Sequence, residues 1–266
     1  MIPERYFPFA SPQYKMQIGA GPIPEGRSIL EPDEHLEAEL ALKQACFAAR
    51  DNYYYLALPG SEDAESEAAA YLTQGRETNF KRLGDNVQED LLVLTLNQPH
   101  VPLIAGHLCF PNAWSLNEKL GRSFLEIHAP VPGFAESIGT ASQKLLERLK
   151  PDRPVERLNW AIKANAQLDL TNRWAEWEAK QKALVTEENA GERCYLRVER
   201  QTLSLLPKTN SVLFTLHTYL QSIATLTSAQ RALVQGVVET CPPEMLAYKG
   251  IATFAEALKT WFRCAA

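Results

Sequence analysis

The stretch RCYLRVERQTLSLLPKTNSVLFTLHTYLQSI, residues 193 to 223, constrains the fold more than any other. Two runs rich in branched and aromatic residues alternate with a period of two and are separated by Pro-Lys-Thr-Asn, so they read as a long β-hairpin. Two strands of this length are not stable alone and must be the centre of a larger antiparallel sheet. In the first run Arg197, Glu199 and Gln201 point one way and Leu196, Val198 and Arg200 the other. In the second, Val212, Phe214 and Leu216 oppose Thr215, His217 and Tyr219. Register decides which polar groups meet. With paired positions of even sum, Glu199 faces His217 and Arg197 faces Tyr219, whereas a slip of one residue sets Arg200 against His217. A carboxylate, guanidinium, imidazole and phenol sharing a face can polarise an oxidant and hold a cation. On a solvated face they form an ordinary ladder of cross-strand pairs.

The remaining elements place this hairpin in an α+β chain. EPDEHLEAELALKQACFAAR reads as a helix with Asp33 near its cap, and SEDAESEAAAYLTQ as a second. VPLIAGHLCF is a strand in which His107 is expected as a hydrogen-bonded sheet residue. SLNEKLG is a single helical turn with a Ser115–Glu118 capping box. FAESIGTASQKLLERLK is an amphipathic helix stopped by Pro151, VERLNWAIKAN a strand, and NRWAEWEAKQKALV a helix. SAQRALVQGVVETC and FAEALKTWFRC are closing helices. No repeat or Gly/Ser linker interrupts the chain, so we expect one domain over 1–266, with an N-terminal helical extension over about 1–95 and C-terminal helices over about 226–266.

Charge and cysteine usage narrow the functions. With 27 basic and 32 acidic residues the net charge is -5, which gives no field for nucleic acid or an anionic membrane. No apolar run reaches the roughly 20 residues of a membrane span, and the N-terminus lacks the pattern of a signal peptide, so a cytoplasmic protein is expected. The five cysteines are scattered, with no C-x-x-C pair, which excludes a zinc or iron–sulfur cluster built from this chain alone. Cys241, followed by Pro242-Pro243, reads as a helix stop. No P-loop, nucleophile elbow, G-x-G-x-x-G turn or H-E-x-x-H helix is present.

One further stretch combines unusual residues: LCFPNAWSLNEKLGRSFLEIHAPVPGF, residues 108 to 134. His128 precedes Ala-Pro-Val-Pro-Gly, whose fixed φ values aim its ring by the backbone. Either the corner needs the ring as a hydrogen-bonded structural group, or a ligand does.

Together these residues resemble the alpha subunit of haem-dependent oxidative N-demethylase and its relatives. The matching pieces run in order from about residue 30 to 250: NVQEDLLVL, the whole 108–134 stretch, NWAI, LRVERQTLSLLPKTNSVLFTLHTYL and MLAYKG. The resemblance implies a PAS-like antiparallel sheet flanked by helices, binding haem b. It implies a monooxygenase that removes a methyl group from a small, dimethylamine-like amine with O2. Electrons would come from NADPH through a partner reductase carrying FMN and an iron–sulfur cluster, which agrees with the absence of cluster and dinucleotide motifs here. Carried over residue by residue, His128 becomes the haem iron ligand and Glu199 the carboxylate that pairs with a protonated amine. Arg197 or Arg200 contacts a haem propionate or bound oxygen. Tyr219, Phe110 and Trp114 line the cofactor, the last two as packing residues rather than electron relays, and Tyr248 and Lys249 close the rim. One departure is His217, where the family pattern carries arginine. It leaves open a different substrate, a loss of catalysis, or His217 as a second iron ligand. A haem or metabolite sensor without turnover is the alternative function, and a haem-free partner subunit a third.

Overall fold

The computed structural model describes residues 1–264, Asp51 by its backbone alone. Seven antiparallel strands form one open sheet among the described residues: β1 (Gly21–Pro22), β2 (Tyr55–Ala57), β3 (Asp90–Thr95), β4 (Leu103–His107), β5 (Val155–Lys163), β6 (Tyr195–Leu206) and β7 (Ser211–Ser222). Their order across the sheet is β1-β5-β6-β7-β3-β4-β2. The α+β class expected from the sequence is therefore present, with helices on both sides of an antiparallel sheet.

The β6–β7 hairpin is its spine. Twelve pairs run from Tyr195 opposite Ser222 to Leu206 opposite Ser211. Its turn places Asn210 at φ 48°, a left-handed conformation that asparagine tolerates. The Glu67 carboxylate of the helix Glu62–Thr73 accepts bonds from the Lys208 and Thr209 amides at 2.9 and 2.8 Å, pinning that turn. The register is the slipped alternative: Arg200 faces His217, Glu199 faces Thr218, and Arg197 faces Leu220. Glu199 and Arg197 thus share the front of the sheet, while Arg200, His217 and Tyr219 lie on its back.

The front packs Leu92, Leu94, Leu203, Val212 and Leu216 against Leu116, Phe124, Ile127 and Leu146 from short helices of the 108–147 region. The back is covered at one end by the helix Glu62–Thr73 and at the other by the C-terminal helices. There Leu196, Val198 and Ile162 meet Val234, Leu246, Leu258 and Phe262. Between these apolar ends lies a buried ionic patch. Arg200 donates to Glu156 at 2.9 Å and to the carbonyls of Ser28 and Ile29 at 2.8 Å each. Arg27 bridges Glu156 and Glu31 and, with Glu31, bonds the Tyr6 hydroxyl. His217 stacks on Tyr219 with centroids 4.4 Å apart, and its Nδ1 lies 3.2 Å from Glu89.

Several expectations need correction here. The N-terminal part is not purely helical, because residues before 96 supply β1, β2 and β3, the last wholly buried beside β7. The 134–150 segment begins as a π-helix, Ala135–Gly139, before the helix Thr140–Glu147. His128 ends a one-turn helix, Phe124–His128, rather than lying on proline-fixed backbone. The Ser115–Glu118 capping box, the His107 bond to Asp85 at 2.9 Å and the Cys241 helix end are as expected.

The back patch makes a pH-dependent prediction. Burial opposes a charge on His217, but Glu89, Glu39 and Asp33 outweigh it and raise its pKa. Burial likewise opposes the Glu89 charge, and His217 outweighs it and lowers that pKa. The histidine's contribution is complete below the ordinary imidazole range and is lost as pH rises through the raised value. The glutamate's is present above the ordinary carboxylate range and is lost as pH falls. His217→Gln should therefore lower unfolding stability by about 3 kcal/mol near pH 6. The gap to wild type should narrow at alkaline pH, as read by urea midpoints; a pH-independent gap would contradict the pairing.

Candidate functional site

The front of the sheet changes character along its length. Toward β3 it is apolar; over β5 and β6 it carries Arg157, Asn159, Glu199, Gln201 and Arg197, since β5 pairs Arg157 with Gln201 and Asn159 with Glu199. Period-two alternation in both strands brings these side chains to one side. Glu199 is buried. Its Oε2 accepts bonds from Asn159 at 3.1 Å and Gln201 at 3.0 Å, whereas its Oε1 accepts none and lies 3.6 Å from Arg197 Nε. Arg197 donates instead to the carbonyls of Leu168 at 3.1 Å and Phe110 at 2.5 Å, while its Nε makes no hydrogen bond. Burial lowers its pKa, with Glu199 and Asp90 opposing.

His128 approaches from the helix Phe124–His128. Ser123 caps this single turn through a reciprocal box with Glu126, with a 3.3 Å bond from the Glu126 amide. The ring stacks on Phe134 at 4.6 Å and leans on Phe124 at 4.4 Å. Its Nδ1 lies 2.8 Å from the Phe124 carbonyl, which can only accept, so Nδ1 carries the hydrogen and Nε2 the lone pair. Burial lowers the pKa to about 4, with Arg157 and Lys119 contributing against the carbonyl's opposite pull. The imidazole is neutral at ordinary pH and only half-buried.

Lys249 and Tyr248 belong to the same neighbourhood, within electrostatic reach of Glu199. Lys249 reaches the Trp160 carbonyl at 2.8 Å and lies 4.1 Å over that ring. Burial lowers its pKa to about 8, with the Glu199 charge opposing and the Arg157 charge adding. Burial raises the Tyr248 pKa, and the Glu199 charge adds to it.

The sequence-expected residues are thus divided. His128, Glu199 and Arg197 stand on the front side. Phe110 is buried beside Cys46, Tyr54 and Cys109, and its amide donates to Asp90 at 2.7 Å. Trp114 packs at the edge of the front apolar cluster. Arg200, His217 and Tyr219 face the N-terminal segment across the sheet, so His217 does not oppose His128, and the shared face imagined for Glu199 and His217 does not form. Arg157 and Asn159 went unread, although the alternation in VERLNWAIK that marked the strand also marks their common face.

A second group of metal-ligand types, Asp90, His107 and Cys109, lies within 4.8 Å. Lys43 already supplies the cation there, 3.5 Å from Asp90, and both Asp90 oxygens accept backbone amides. This group is explained by the fold.

The chain is therefore an α+β protein with a neutral, backbone-oriented imidazole and, on the same side of the sheet, a buried carboxylate that keeps one oxygen unbonded. A family model, haem-dependent oxidative N-demethylase, alpha subunit-like, matches residues 72–259, and the chain belongs to that family. Membership brings haem dependence, oxidative N-demethylation and, through the alpha-subunit description, a partner subunit. In donor chemistry His128 suits such a cofactor: it offers Nε2 with its other nitrogen anchored on a carbonyl, as metal-binding imidazoles are. No described helix is long and apolar enough to cross a membrane.

Because one cap holds the helix that carries His128, Ser123→Ala should cost about 1 kcal/mol. It should also speed hydrogen exchange at the Ile127 amide, which bonds Ser123 O at 3.0 Å. Unchanged exchange there would show that packing on Phe134 alone holds the ring.

Proposed function

We propose that this chain is the haem-bearing, PAS-like subunit of a cytoplasmic monooxygenase that demethylates a small methylated amine, dimethylamine or a close relative, with O2. Electrons reach it from NADPH through a partner reductase holding FMN and an iron–sulfur cluster, and residues 1–266 form one domain around the site. The observation that carries the reading is the pairing of a locked neutral imidazole with an unbonded, buried Glu199 Oε1 on the same side of the sheet.

Bound haem b supplies oxygen activation, which none of these side chains can perform. The chain's own work is binding and orientation. His128 Nε2 is the iron ligand, and its low pKa keeps the lone pair available. Glu199 Oε1 accepts an N–H of the protonated amine, while Asn159 and Gln201 hold Oε2 and so fix the carboxylate's plane. Burial strengthens that ion pair by excluding water. Arg197 is a positioning residue: held by two carbonyls, it keeps its Nε 3.6 Å from Glu199 Oε1. Tyr248 and Lys249 form the rim.

The purified chain should bind haem with an intense Soret band that His128→Ala abolishes. Glu199→Gln should keep that band but lose roughly 10- to 100-fold in amine-dependent O2 consumption, the worth of one charge-assisted bond. A Soret band unchanged by His128→Ala would remove the assignment of the ligand. Full turnover in Glu199→Gln would remove the carboxylate from substrate binding.

A further inference from the structure

The three arginines on β5 and β6 are not equivalent. Arg200 has its donors spent on two carbonyls and a carboxylate, and Arg197 gives Nη1 and Nη2 to two carbonyls while its Nε lies 3.6 Å from Glu199 Oε1. Arg157, in the front face opposite Gln201, makes no hydrogen bond or ion pair to any described residue, and its Nε is shut off from solvent without a partner. A guanidinium carries five donors in a planar fork and stays charged, so half-burying it with no partner in the chain, its Nε cut off from water, is costly unless something outside the chain completes it. Glu199 is the anion that acts on it at longer range. That carboxylate's Oε2 is occupied by Asn159 and Gln201, and no contact between the two residues is formed. Arg157 also lies within electrostatic reach of His128 and Lys249. The position is therefore cationic, oriented and inside the neighbourhood of the proposed site.

We propose that Arg157 is a carboxylate receptor, its fork donating to both oxygens of a carboxylate that the chain itself does not supply. Bidentate pairing suits a planar anion and satisfies the orphaned Nε. Two sources share this chemistry. One is a propionate of the haem. The other is the acid group of the substrate, which would then be an N-methyl amino acid with its ammonium on Glu199 and its carboxylate on Arg157. The inference rests on the reading of the front face given under Proposed function.

Four probes test it on the full chain, wild type and Arg157→Gln: haem, haem dimethyl ester, N-methylglycine and dimethylamine. If the propionate is the partner, haem should bind wild type roughly 10- to 100-fold tighter than its ester, a preference that Arg157→Gln erases. If the substrate acid is the partner, N-methylglycine should shift the Soret band of the loaded protein more strongly than dimethylamine, and Arg157→Gln should remove that advantage alone. Esters and acids bound alike by both chains would overturn the receptor while leaving the demethylase reading intact. Absence of haem binding in wild type would instead overturn that reading. Calorimetry with N-methylglycine on the haem-free chain would then decide Arg157, binding that depends on the arginine supporting it and no binding ending it. A second variant guards against misfolding. Arg157→Met removes a half-buried cation that has no partner in the chain and should raise the melting temperature of the haem-free chain; a large fall would assign the arginine a structural role and overturn the proposal.

Discussion

The register of the β6–β7 hairpin organises everything else in this molecule. Because each strand alternates, the pairing of Arg200 with His217 and Glu199 with Thr218 sends two sets of charges in opposite directions. A shift of one residue would mix them. Glu67 holds the turn from outside the sheet, so the register is fixed from both the hydrophobic pattern and the loop. The strand partners β3 and β5 then inherit their facing from it.

The two faces use charge differently. On the back, arginine, histidine, glutamate and tyrosine groups meet partners from the first 33 residues, from the sheet's own strands or from Glu89 just before β3, and His217 Nε2, without a hydrogen bond, lies 3.6 Å from Asp33. On the front, Glu199 Oε1, Arg157 Nε and Arg197 Nε are buried without hydrogen-bond partners. Unpaired buried polar atoms are few in folded proteins, and these three occupy neighbouring positions of β5 and β6 on the face that the proposed site uses. The lysine beside Asp90 shows the contrast: a cluster with metal-ligand chemistry that its own chain has already neutralised.

Most of the architecture was legible in the sequence. The hairpin, β4, β5 and the amphipathic helices announced themselves through period and caps, and the chain order of the motifs carried the family. β3 did not, because a strand buried on both faces shows no alternation and its neighbours Gln88, Glu89 and Asp90 look like loop residues. The one-turn helix at His128 was hidden by the prolines that follow it. His128 and Glu199 were readable as candidates, but their separation from His217 depended on register, which local pattern could not choose. Arg157 was overlooked for a different reason: a lone arginine in a strand looks like a solvated residue until its donors are counted.

The hydrogen on His128 Nδ1 has a consequence for loading. A ligand nitrogen and a proton compete for the same lone pair, and most imidazoles lose that contest to acid just below neutrality. With its pKa near 4, this ring surrenders Nε2 to protons only in strongly acidic solution. Mild acidification of the surroundings therefore leaves the lone pair on Nε2 free, and the loading proposed for this ring would not track ordinary fluctuations in pH.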